Sequence, residues 1–359
     1  MQCKFLLLSL AFLTMAAFFF NEYLIFFIAV SQCQWICPQQ GCTAGDLRAF
    51  MIADTHLLGK RKGHWLDKLK REWQMYRSYQ SAVNVHDPDV SFFLGDLLDE
   101  GQWADSHLFS EYVQNFRRMF MRTERPQVFA LAGNHDLGFH YAMSPFSVET
   151  YKREFNRSLI EDTEIKGHRF VLITSMALHG DGCRLCHEAE EELRTIERRN
   201  DKRPILLQHF PLYRTSDAEC EQLDQYHSID KIEKYRETWE TLSMESTNRL
   251  IDSLKPLAVF NGHTHKTCKK WWKIKNRSLS FYEYTINSFS WRNGDLPAFL
   301  MVTIPADSGQ LLVESCTLPS EATQLLVYCV FGFFGILLLL IFLVNLKFSR
   351  RSRWNIKYE

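Results

Sequence analysis

The sequence lacks several features that would each point to a different kind of protein. It has no net charge, since 42 Lys and Arg balance 42 Asp and Glu, and 23% of its residues are charged. That is an ordinary share for a folded domain, so neither charge-driven disorder nor bulk electrostatic binding of nucleic acid is indicated. Gly/Ser/Pro-rich linkers, internal repeats and low-complexity tracts are missing too, which leaves one large domain as the simplest organisation of the middle of the chain. No second Cys-x-x-Cys matches Cys183-x-x-Cys186. A zinc site there is therefore disfavoured against a disulfide or two structural thiols.

What is present is unevenly spread, with the apolar residues crowding both ends. The run from Phe5 to Val30, broken by Asn21 and Glu22, exceeds the roughly 20 residues a helix needs to cross a bilayer. It reads as a transmembrane helix or uncleaved signal anchor behind a short cytosolic stretch, residues 1–4. A cleaved secretory signal is the alternative, because Lys4 precedes the run, although no small-x-small site follows it. The second run, residues 325–346, precedes Lys347, Arg350, Arg351, Arg353 and Lys357. The positive-inside rule places residues 347–359 in the cytosol, and a charged tail argues against a lipid-anchor attachment signal. Residues 31–324 then face the lumen whether or not the first run is removed. Eight cysteines lie in that segment (Cys33, Cys37, Cys42, Cys183, Cys186, Cys220, Cys268 and Cys316), together with glycosylation acceptors at Asn156 and Asn276. Both features suit an oxidising lumen, with the cysteine connectivity open. A lone Lys357 does not make a dilysine retrieval signal, so endoplasmic reticulum and Golgi are not separated.

Short apolar runs bounded by turn residues predict buried strands over 48–53, 90–94, 127–132, 170–175, 205–208 and 257–260. Trp65, Leu66, Leu69, Trp73, Tyr76 and Tyr79 recur at near-helical spacing, and a charged helix is predicted over 187–200. Strand alternates with helix, so the fold class is α/β. Runs at 278–286, 298–304 and 310–316 follow without a helical pattern between them and suggest antiparallel strands in a second sheet. The expected product is a double-sheet sandwich flanked by helices.

Five polar motifs follow five of those strands: Asp54-x-His56, Gly95-Asp96, Gly133-Asn134-His135-Asp136, His209, and Gly262-His263-Thr264-His265. The carboxyl edge of an open α/β sheet is where ligands bind, because loops there aim side chains at a common point. Asp54, His56, Asp96, Asn134, His209, His263 and His265 offer carboxylate, amide and imidazole donors, a set suited to manganese, zinc or iron. Seven such donors imply two divalent ions. A pair about 3.5–4 Å apart can acidify bound water and clamp a phosphoryl oxygen. His135, not required as a ligand, could donate a proton to the leaving alkoxide, with Asp136 orienting its imidazole. Lys269, Lys270, Trp271, Trp272 and Lys273 read either as a substrate- or membrane-facing cluster or as an amphipathic strand.

This ordered set, complete from Asp54 to His265 and covering more than half the chain, resembles the calcineurin-like metallophosphoesterase family. The resemblance implies a two-metal sandwich in which Asp54, His56 and His265 hold one ion and Asn134, His209 and His263 the other. Asp96 would bridge them and His135 would be the proton donor. The two flanking spans and the stretch 52–141 are similar, more narrowly, to family members that remodel glycosylphosphatidylinositol (GPI) anchors. That similarity implies manganese, removal of an ethanolamine-phosphate branch from the anchor's second mannose, and residence in endoplasmic reticulum exit sites, the intermediate compartment or the Golgi. The implied partners are the anchor glycolipid on proteins, the membrane and cargo receptors of the early secretory pathway. Rival readings are a phosphoesterase for another lipid or sugar phosphate, and a non-catalytic trafficking receptor for anchored cargo.

Overall fold

The computed structural model describes residues 2–61, 63–178, 183–199, 202–221, 233–274, 278–294, 296–306 and 310–355. In chain order its elements are α1 (Gln2–Phe19), a π-helical turn (Phe20–Leu24), α2 (Ile25–Ser31), β1 (Leu47–Ile52), α3 (Trp65–His86), β2 (Val90–Leu94), α4 (Ser106–Phe120) and β3 (Gln127–Leu131). There follow α5 (Asn134–Leu137), α6 (Pro145–Phe155), β4 (Ile160–Ile165), β5 (His168–Ile173), α7 (Arg184–Glu197), β6 (Ile205–Gln208), α8 (Met244–Leu254) and β7 (Ala258–Asn261). The last are β8 (Cys268–Ile274), β9 (Leu279–Thr285), β10 (Ala298–Ile304), β11 (Leu312–Thr317) and α9 (Glu321–Asn355).

Two mixed sheets stack face to face, one ordered β11-β10-β1-β2-β3 and the other β4-β5-β6-β7-β9-β8. Their inner faces meet through Ala49, Met51, Phe92, Phe170, Leu207, Phe260 and Val302. The outer face of the first sheet is covered by helices, with Phe93 against Tyr79 of α3 and against Phe116 and Phe120 of α4. Strands covered on both faces need apolar residues at successive positions, and β2, Val-Ser-Phe-Phe-Leu, is buried throughout. The parallel pairs β1–β2–β3 and β5–β6–β7 leave their carboxyl ends at one edge of each sheet.

The late strands depart from expectation. Rather than forming a sheet of their own, β10 pairs antiparallel with β1 and carries β11 on its other side, while β9 joins β7 in parallel. The seven residues of β10 are all buried, so this strand needs neighbours and covers on every side and takes an interior place. Strand β4, Ile-Glu-Asp-Thr-Glu-Ile, was not expected; it is a half-exposed sheet edge whose charges deter further pairing. Helix α7 starts earlier than predicted, because the Cys183 sulfur accepts from the Cys186 N–H and caps it. The cluster 269–273 lies in β8, an edge strand, with Lys270 Nζ over the Trp272 ring and paired with Glu219.

All eight cysteines of the middle segment are paired: Cys33–Cys316, Cys37–Cys42, Cys183–Cys186 and Cys220–Cys268. Asn156 lies exposed at the end of α6; Asn276 and Lys357 lie outside the described residues. Among the described residues, two helices are long and apolar enough to cross a membrane, Lys4–Ser31 and Glu321–Lys347. The polar break in the first helix carries hydrogen bonds to the second. Asn21 Nδ2 donates to Gln324 O (2.9 Å), and Tyr328 OH donates to Glu22 Oε1 (2.7 Å).

Candidate metal centre

The turns that leave β1, β2 and β7 are built by unusual backbone. Asp54, His56, Asp96, His263 and His265 all have positive φ, between 43° and 72°. Residues with a Cβ occupy that region only at a cost of order 1–3 kcal/mol, and here it bends the chain back so that successive side chains face one pole. Gly95 must be glycine on two counts: its φ is +88°, and a Cβ there would lie 2.6 Å from His209 Nδ1. At Gly262 a Cβ would sit 2.5 Å from Asp54 Oδ2.

All seven predicted donors come together. His56 Nε2 and His265 Nε2 stand 3.2 Å apart, with Asp54 Oδ1 3.9 Å and 3.5 Å from them. His209 Nε2 lies 3.2 Å from His263 Nδ1 and 3.1 Å from Asn134 Oδ1. Asp96 Oδ2 sits between the two groups, 3.5 Å from His56 Nε2 and 3.2 Å from His209 Nε2. Its other oxygen accepts the His135 N–H at 2.7 Å.

Three of these histidines have the outward ring nitrogen tied by a hydrogen bond. His209 Nδ1 donates to Leu94 O (2.8 Å), His263 Nε2 to Trp239 O (2.6 Å), and His56 Nδ1 to Asp99 Oδ1 (3.3 Å). Such partners fix the tautomer and leave the inward nitrogen as a lone pair, the arrangement found around metal-ligating imidazoles. Lone-pair nitrogens then face one another and buried carboxylates, and divalent cations would satisfy all of these donors at once. The residues present fit two ions.

Electrostatics show how tightly the groups interact. Burial raises the Asp96 carboxyl, but His209 and His56 outweigh it and hold Asp96 well below its ordinary range. Burial disfavours charge on His209, yet the Asp96 and Asp54 carboxylates push it up to about 9. Burial and the neighbouring His209 bring His263 down to about 4.

The remaining two predicted residues part company. His135 lies at the mouth, its ring edge-on to His56 with centroids 4.6 Å apart. Asp136 does not orient it. The Asp136 carboxylate accepts from the N–H groups of Gly133 (2.8 Å), Leu98 (2.9 Å) and Leu97 (3.2 Å), clamping the β2 and β3 turns together. Side chains one residue apart on a helical turn diverge by about 100°, so adjacency in sequence misleads here. The His135 partner is Asp99: His135 Nδ1 donates to its carbonyl (3.0 Å), and the Asp99 carboxylate is 3.5 Å away. Arg292 holds the other Asp99 oxygen at 3.2 Å. Asp99, three residues past Asp96, is the functional residue the motif reading missed. Phe139, Tyr141 and Trp239 form an aromatic wall beside His263.

Residues 47–267 match the calcineurin-like phosphoesterase family model. A Caenorhabditis elegans protein named metallophosphoesterase 1 homolog is 58% identical over 94% of this chain and 92% of its own length. Metallophosphoesterase 1 of Ailuropoda melanoleuca is 38% identical over 94% of this chain and 89% of its own, and that of Danio rerio 36% over 98% and 94%. Among solved structures, a purple acid phosphatase from yellow lupin (Lupinus luteus) seeds aligns with a TM-score of 0.45 and 14% identity, over 78% of this chain and 55% of its own.

Proposed function

The chain belongs to the calcineurin-like phosphoesterase family and is a metal-dependent phosphoester hydrolase, and from that premise we propose that it is a membrane-held phosphodiesterase acting on GPI anchors. Its substrate is the ethanolamine-phosphate branch on the anchor's second mannose, its ions are manganese, and its catalytic domain faces the lumen of the early secretory pathway. The observation that carries the chemistry is Asp96 Oδ2 lying between two donor groups, three of whose four histidines are held from behind.

Asp54, His56 and His265 would hold one ion, Asn134, His209 and His263 the other, and Asp96 both. When bound, such a pair activates water at neutral pH and offsets charge on the phosphoryl oxygens. The chain's own part is positioning and proton transfer. His135, with Nδ1 tied to the Asp99 carbonyl, presents Nε2 to the mouth and there gives its proton to the departing sugar oxygen. The Asp99 carboxylate, 3.5 Å from Nδ1, helps hold the ring in that orientation.

The membrane part of the reading is supported by the two apolar helices and by the narrower sequence similarity described above. Four disulfides suit an oxidising lumen. A catalytic domain tethered beside a bilayer meets a lipid-linked substrate at high effective concentration without high intrinsic affinity. The purified full chain should hydrolyse a bis-aryl phosphodiester when manganese is supplied, and cells lacking it should accumulate anchors one phosphoethanolamine heavier on the second mannose. No turnover with manganese, zinc or iron would favour a trafficking receptor. Turnover with an unchanged anchor profile would mean a different phosphodiester substrate.

A further inference from the structure

Helix α3 runs alongside the first apolar helix in the same direction, and two contacts set its register. Near its end the His86 Nε2–H donates to Val30 O at 2.9 Å. Near its middle the Trp73 Nε1–H donates to Glu22 O at 3.2 Å, and the Trp73 ring meets Tyr23 edge-on. Moving from His86 back to Trp73 therefore descends the apolar helix from Val30 to Glu22, and continuing in that direction leads toward Phe19 and Phe18, both exposed. Trp65 lies a further eight residues back, about 12 Å along the helix axis.

The second apolar helix meets the same stretch of α3 through its first turn. Lys70 Nζ pairs with Glu321 Oε1 at 2.8 Å and Arg71 pairs with the same carboxylate, at the first residue of α9. Leu325 and Leu326, one turn further on, begin the exposed apolar surface of that helix. In the turns of α3 that precede these contacts, Trp65, Leu66 and Leu69 are 68%, 54% and 58% exposed. The row Trp65–Leu69–Trp73 has i, i+4 spacing, so the exposed pair continues the ridge by which Trp73 packs on the apolar helix.

We propose that the first two turns of α3 form an interfacial foot, with Trp65, Leu66 and Leu69 inserted at the boundary between headgroups and acyl chains of the bilayer. The inference rests on the reading that the two apolar helices span that bilayer. Tryptophan and leucine on one side of a helix, lysine and arginine beside them, is the composition such a boundary favours. Trp65 follows His56 by only nine residues, so the first metal group lies no more than about 30 Å from the foot. The foot thus adds a third point of attachment to the two helices and fixes the tilt of the catalytic edge over the headgroups.

The test measures depth in the full chain. Leu66→Cys, Leu337→Cys and Glu149→Cys are each made with Cys3→Ser and Cys329→Ser, labelled with a fluorescent maleimide and placed in phosphatidylcholine nanodiscs. The discs are prepared with and without a lipid carrying a nitroxide high on its acyl chain. The expected result is emission cut by about twofold or more at position 66 as at 337, with none lost at exposed position 149. Quenching at 337 but not at 66 would overturn the foot while leaving the spans standing. Loss of quenching at both positions would overturn the spanning reading and the foot with it.

Discussion

One carboxylate, Asp99, serves two histidines with different tasks. It accepts from His56 Nδ1, behind the first metal group, and stands beside His135 at the mouth, while Arg292 fixes its second oxygen. Removing it should therefore do more than removing His135. His135→Ala is expected to keep both ions, measured as bound metal per chain, yet to slow esters with poor leaving groups about 100-fold and nitrophenyl esters far less. Asp99→Ala should show the same leaving-group dependence and also release metal from the first group, because His56 loses its orienting partner. Equal metal loss in both variants would mean that His135 is a ligand or a structural residue. The donors were legible in the sequence because each sits immediately after a strand, where topology forces convergence. The partners behind them were not, because Asp99 and Asp136 are both carboxylates near the same turns. Only the folded backbone decides which points at a ring and which at N–H groups.

The helices against the first sheet show where pattern suffices and where it fails. The apolar spacing from Trp65 to Tyr79 identified α3, and Tyr79 is buried against Phe93 and Phe120. The same spacing could not tell that Trp65 and Leu69 stay exposed, since periodicity marks a face but not its cover. Likewise β10 was visible as a strand but not as a neighbour of β1, a pairing across some 250 residues of chain. At the far end of α3, His86 is buried between Trp35, Phe50 and Val30. Burial lowers its pKa from 6.5, only partly opposed by the Val30 carbonyl. As pH falls through about 6.5 and toward the lower folded value, the unfolded chain binds a proton that the folded chain refuses, so stability decreases. Heating curves at pH 7.5 and 5.5 should show a larger loss of melting temperature for the natural protein than for His86→Gln, which keeps a donor for Val30 O without titrating. An equal loss in both would assign the pH dependence to other groups.

Across the whole molecule, the two ends of the chain are tied into one base. Asn21 and Glu22 reach Gln324 and Tyr328, Gln74 of α3 donates to Gln324 Oε1, and Cys33 is bonded to Cys316 just before α9. Ile25, Phe26 and Val30 are buried in the same apolar core as Phe50, Phe93 and Trp291, with Phe26 edge-on to the Trp291 ring. A removable signal would take these side chains with it. Losing Phe26 alone resembles truncating a core aromatic, which costs about 3–5 kcal/mol, and His86 and Trp73 would lose their acceptors at Val30 and Glu22 besides. The packing of Ile25, Phe26 and Val30 in this core supports the reading of the first apolar segment as a retained anchor rather than a cleaved signal. A tag placed before Met1 should remain on the protein isolated from membranes, and its intact mass should include residues 1–30. Phe26→Ala should lower the melting temperature, and Cys33→Ser should lower it too, since that bond closes a loop of 283 residues and such closures contribute about 2–5 kcal/mol. Recovery of a stable protein beginning near Ser31 would show that the core closes without the first helix, and the base would then be built by α3 and α9 alone.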